Sequence, residues 1–158
     1  MSAVAAVAQV GEVPGRYAAL VEGRSGGERH PELVWTSGAY VSHVADNLRN
    51  WAERLAGARL AGALEVPGYD QDLLAEARCY QDIPLAAALW SLRGSVSLWV
   101  ESVSAALEAG VVLQHSARGA QRAEDVARNN AHDAAHHAWD IQRILTHEDE
   151  EQAAAAAR

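Results

Sequence analysis

The sequence predicts an all-α protein, a four-helix bundle. Three observations carry that prediction. Apolar residues recur in steps of three and four along long segments, the period of an amphipathic helix. Ala dominates an apolar fraction of 49%, Phe is absent, and Ile and Thr are scarce, a balance that favours closely approaching helices over a sheet. Four such segments bury their stripes most simply against one another.

Residues 3–22 read as a first helical region, bent or broken near Pro14-Gly15, because proline ends or kinks a helix. The turn residues of 23–31 make a loop. Thr36 or Ser37 caps a helix running to about Gly62, with Val41, Val44, Leu48, Trp51 and Leu55 as its apolar stripe. The connection 62–72 contains Pro67-Gly68, and a short helix follows from Asp70-Gln71-Asp72 to about Tyr80. A long helix spans about Ile83 to Glu108, with Leu85, Leu89, Leu92, Val96, Trp99, Val103 and Leu107 on one face. Residues 111–120 read as a loop. The last helix runs from about Gln121 to Thr146, so the bundle occupies 1–146, and an acidic, Ala-rich tail, either a frayed helical extension or disordered, occupies 147–158. The five tryptophans are expected in the core or on a pocket wall.

A chain of 158 residues fits one domain with a full core. A net charge of −8 without a basic cluster argues against nucleic acid and anionic membrane as partners. The single cysteine, Cys79, allows no internal disulfide. The apolar start lacks the basic residues of a signal peptide, and no run is long enough to span a bilayer, so a soluble cytoplasmic protein is the expectation. An exposed apolar helix face would allow a homodimer.

The chemistry gathers in residues 129–143, which hold three histidines, two aspartates and an arginine without Gly or Pro. His132 and His136 are four apart, the spacing at which two imidazoles on a helix reach one metal ion. His43 on the second helix can face them across a bundle, giving three imidazoles and an open position. Asp46 and Asp140 lie a helical step from these residues and can accept the other ring N–H of a ligating histidine. His137 leaves the stripe of His136 and is expected to be structural or a pocket-wall residue. Tyr40, Asn47, Asn129 and Arg143 are candidates for pocket polarity.

Tyr40-Val41-Ser42-His43-Val44-Ala45-Asp46 with Trp51-Ala52-Glu53-Arg54-Leu55 resembles the first motif of the DinB-like superfamily. His132-Asp133-Ala134-Ala135-His136-His137-Ala138-Trp139-Asp140-Ile141 resembles its last. The likeness spans roughly residues 5–146 and is nearest to the branch of the mycothiol-dependent maleylpyruvate isomerase N-terminal domain. It implies an up-up-down-down four-helix bundle with a divalent-metal site, and it matches His43, His132 and His136 to the ligand triad. Some relatives carry a carboxylate at the first position of the last-helix pair; with His132 there, this chain departs from them. The sequence ends soon after the bundle, so the second domain of that isomerase is not expected in it.

The resemblance implies an enzyme in which a divalent ion, Zn, Ni or Fe, activates mycothiol or a similar thiol. The thiolate then attacks a small electrophile for S-transfer or isomerisation. Two alternatives stand beside it. One is a hydrolase or lyase using metal-activated water, with Asp46 or Asp140 as base. The other is a non-catalytic, metal-containing protein that binds small molecules or serves in stress.

Overall fold

A computed structural model describes residues 1–158. The first helical region is two helices, α1 (Ala3–Gly11) and α2 (Val13–Leu20), divided at Glu12 just before Pro14. The long helices are α3 (Ser37–Ala61), α5 (Leu85–Glu108) and α6 (Ala123–Ala156), and a short α4 (Gln71–Ala77) lies between α3 and α5. Thr36 Oγ1 accepts from the Ala39 N–H at the start of α3, and Gly62 ends it with φ 65°. Both devices satisfy backbone groups that a helix end leaves unpaired.

The bundle expected from the sequence forms from α1–α2, α3, α5 and α6, around a core that includes Val10, Tyr17, Leu48, Leu92, Trp99 and Ile141. Its helices run up-down-down-up, unlike the up-up-down-down order the resemblance implies. Gln9 bonds the Ala131 carbonyl and Arg24 bonds Asp149, so α1–α2 and α6 are parallel. Asn47 bonds Asp133 while His43 packs on His137, so α3 opposes α6. Gly26 lies against both Gly38 and Leu85, placing the starts of α3 and α5 at one end. Residues 62–84 therefore carry the chain back along the bundle, whereas the other connections only turn it round.

A further departure concerns the connections. Residues 112–122 are a hairpin and not a loop: β2 (Val112–His115) pairs antiparallel with β3 (Gly119–Arg122) and parallel with β1 (Glu65–Val66). The alternation of exposed and buried residues along β2 is the period of a strand, but over only four residues. Of the two forms expected for the tail it takes the helical one, with α6 continuing through it to Ala156. No helix is long and apolar enough to cross a membrane.

The loop before α3 is held on the bundle by one side chain. The Glu28 carboxylate accepts from the Ser25 N–H and hydroxyl, the Gly26 N–H and the Ser37 hydroxyl. Gly38 passes so close that a Cβ there would stand 2.9 Å from the Gly26 carbonyl oxygen, so only glycine fits.

Candidate metal centre

The phase of α6 decides which of its polar residues face inward. Val126, Ile141, Ile144 and Leu145 are buried and set the core face. Counting back from Ile141 by four and eight gives His137 and Asp133. His137 is buried, Asp133 half-buried, and His132 and His136 exposed. Opposite them α3 presents His43, which is 4% exposed.

His43, Asp133 and His137 each aim a ligand atom into one place, with these atoms all within 4.8 Å of one another. The supports differ for each residue. His137 Nδ1 lies 3.0 Å from Asp140 Oδ2, and its Nε2 is 3.5 Å from Asp133 Oδ1. With Asp140 accepting from Nδ1, the Nε2 lone pair points to the centre. Asn47 Nδ2 donates to Asp133 Oδ2 at 2.8 Å, leaving the other oxygen for the cluster. His43 Nε2 is buried and has no hydrogen-bond partner. A buried polar atom left unpaired calls for an explanation, and a cation supplies one. The residues present thus fit a divalent ion: two imidazoles and a carboxylate, each nitrogen or oxygen donor already oriented.

The electrostatics agree. Burial pushes His43 down, as does the neighbouring His137, and Asp133 and Asp46 only partly offset this, leaving it at about 4 and neutral near pH 7. Burial also pushes His137 down, but the hydrogen bonds and charges of Asp133 and Asp140 hold it above its ordinary value. Burial would raise Asp133, yet His137, His43 and the Asn47 amide bring it below the usual carboxylate range.

Of the three histidines singled out in the sequence, only His43 belongs to this cluster. His132 and His136 stack with ring centroids 6.4 Å apart on the outer face of α6. His132 still reaches the cleft wall, while His136 Nε2 lies 3.5 Å from Asp140. A second group, His136, His137 and Asp140, also gathers ligand atoms, but it shares two residues with the first and exposes His136. Asp133, which the sequence reading did not select, puts a carboxylate in the last-helix pair. Asp140 takes the expected role of holding a histidine, namely His137. Asp46 does not: its carboxylate is taken by Arg49, Arg78 and the Tyr80 hydroxyl on another side of α3.

A cleft of about 530 Å³ opens beside the cluster, lined by His43, Asp133, Asn47, Asn129, Asn130 and His132 among others. Asn130 accepts from Trp99 Nε1 through its amide oxygen. Tyr40 packs on His137 at 5.2 Å between ring centroids. Arg143 lies elsewhere, paired with Glu32 and stacked on Trp139. Trp35, Trp51 and Trp99 are buried as expected, whereas Trp90 and Trp139 are 76% and 53% exposed.

The sequence matches no protein-family model and no curated protein. A solved structure that superposes on the chain is YfiT from Bacillus subtilis, described as a probable metal-dependent hydrolase with an unusual four-helix bundle topology. The superposition covers 93% of this chain and 87% of that one, with a TM-score of 0.80 at 16% sequence identity. The chain therefore has the four-helix-bundle fold of YfiT.

Proposed function

We propose that the protein is a DinB-like metal-dependent enzyme whose ion is held by His43, Asp133 and His137. The observation that carries this is the buried, unpartnered Nε2 of His43 facing an oriented carboxylate and imidazole. The motifs in α3 and α6 and the fold shared with YfiT support the same reading. A divalent ion bound there would act as a Lewis acid and make a nucleophile beside it more acidic. The chain's own residues do the rest. Asp140 and Asn47 fix the ligand side chains. The Asn130 amide, its oxygen engaged by Trp99, keeps its N–H donors for a substrate oxygen in the cleft. His132, exposed on the cleft wall, offers a ring nitrogen as a hydrogen-bond partner to a bound substrate.

The nucleophile we favour is a low-molecular-weight thiol such as mycothiol, attacking a small electrophile for S-transfer or isomerisation. Asp133 is the sole carboxylate lining the cleft and is itself a ligand, while Asp46 and Asp140 are engaged elsewhere. A thiol ionises nearer neutrality than water and depends less on a separate base. A carboxylate in the ligand set is also what some DinB-like relatives carry. Hydrolysis by activated water is the second reading, and what is described for YfiT favours it. The experiment is to follow an activated aryl chloride with metal-loaded protein, with and without mycothiol. Thiol-dependent consumption that His43→Ala abolishes is the expected result. Consumption at the same rate without thiol would replace this reading with hydrolysis.

A further inference from the structure

The far end of the cleft carries charge that the metal centre does not use. Arg54 and Arg118 line it, in a protein of net charge −8. Six of the other eleven arginines, Arg24, Arg49, Arg78, Arg122, Arg128 and Arg143, are each paired with a carboxylate. Arg54 and Arg118 are paired with none, although Arg54 is half-buried. The Arg54 guanidinium is nonetheless fixed in place. Its Nη2 donates to the Pro67 carbonyl at 2.8 Å, and it lies 4.9 Å from the Trp51 ring centroid and 5.3 Å from that of Tyr69. Stacking on two aromatic faces holds a cation without neutralising it. Burial and the charge of Arg118 both press on Arg54, as expected of two guanidiniums facing one space.

We infer that Arg54 and Arg118 form an oxyanion subsite that binds a carboxylate or phosphate at the far end of the substrate. A pair of guanidiniums presents forked donors that match either group. The position also sets a length. His43, Asn47, Trp51 and Arg54 follow one another along the cleft side of α3. Arg54 is folded back over Trp51, and eight residues of helix separate Trp51 from His43, about 12 Å. The substrate is therefore an elongated anion, with its reacting group near His43 and its charge about 12 Å away. This placement of the reacting end rests on the metal-site reading above.

The test uses the full chain, labelled for NMR and loaded with zinc, titrated separately with benzoate, phenyl phosphate and neutral benzamide. Saturable shifts of the Arg54 and Arg118 Nε–Hε signals with an anion, and none with benzamide, are expected. The anion giving the larger response assigns the oxyanion as carboxylate or phosphate. In R54Q/R118Q the apparent Kd for that anion should weaken at least tenfold. Equal shifts with benzamide, silence with both anions, or unchanged affinity in the double variant would overturn the subsite. Arg118→Gln alone, at an exposed hairpin position, carries the comparison if the double variant does not fold. The ring signals of His43 and His137 report zinc in the same samples. Arginine shifts without zinc uptake would remove the metal reading and keep the subsite; zinc uptake with silent arginines would do the reverse.

Discussion

Removing His132, His136 and His137 of α6 in turn distinguishes the inward face of that helix from its neighbour. At about 100° per residue, Asp133 sits about 40° round the helix from His137, close enough for both to serve one ion. His136 sits about 100° away and His132 about 140°, which turns them off the centre. A four-ligand zinc site is worth roughly 10–16 kcal/mol, so each ligand contributes on the order of 3 kcal/mol. His137→Ala and His43→Ala should therefore weaken zinc binding roughly a hundredfold or more. His132→Ala and His136→Ala should change it by less than about threefold, because neither is among the residues that gather ligand atoms with His43. Asp140→Asn and Asn47→Ala remove supports and not ligands, and belong between these limits at roughly 10- to 100-fold. Competition against a fluorescent zinc chelator measures all six variants, with circular dichroism to establish that each is folded. If His132→Ala and His136→Ala lost affinity as severely as His43→Ala while His137→Ala kept it, the inward register argued from Ile141 would be refuted.

Two further outcomes concern stability. Asp46→Asn leaves the zinc affinity intact, because Asp46 serves Arg49, Arg78 and Tyr80 and not His43. It should cost about 2 kcal/mol, since the two arginines are partly exposed; thermal denaturation should register roughly 4–8 °C. Glu28 gives a pH signature. Burial raises its carboxyl, but the Ser37 hydroxyl and the Ser25 groups outweigh this and lower it from 4.5 to about 2. A carboxyl lowered on folding contributes stability that is full above its unfolded value and is lost as pH falls towards the folded one. The wild type should thus lose Tm between pH 4.5 and 2 more steeply than Glu28→Gln, with the two curves parallel above pH 6; parallel curves throughout would mean that Glu28 does not hold the loop.

The bundle was legible because its signals are long. The stripe Val41–Leu55 and the stripe Leu85–Leu107 each repeat over many turns, and Thr36 and Gly62 mark helix ends by capping chemistry. His43 was legible for the same reason, lying beside an apolar stripe whose phase is clear. The residues that the structure gathers beside it, Asp133 and His137, lie one position further along α6 than the pair the sequence singled out. That helix is rich in alanine, which is buried at Ala131, Ala134 and Ala138 but marks no face by size. The pair His132 and His136 then drew attention to itself by spacing, whereas Ile141 and Ile144, a turn further on, carried the true phase. The order of the helices depends on which connection crosses the bundle, and loop length does not decide it. The strands β1 to β3 are too short for a period to show, and their pairing joins segments almost fifty residues apart.

The hairpin and the segment after α3 have a role in how such a protein can change. The proposed ligands and their supports all stand on α3 and α6. Arg118, His115, Gly68 and Tyr69, on the far wall, stand on connections. Loops accept insertion and replacement more readily than packed helices do. The helices can keep one reactive centre while the connections are exchanged for others of different length and charge. The part of selectivity that Arg118 and Tyr69 supply is then replaceable while Arg54 stays with α3, and grafting the connections of one such protein onto the helices of another would alter substrate preference without disturbing the proposed metal ligands.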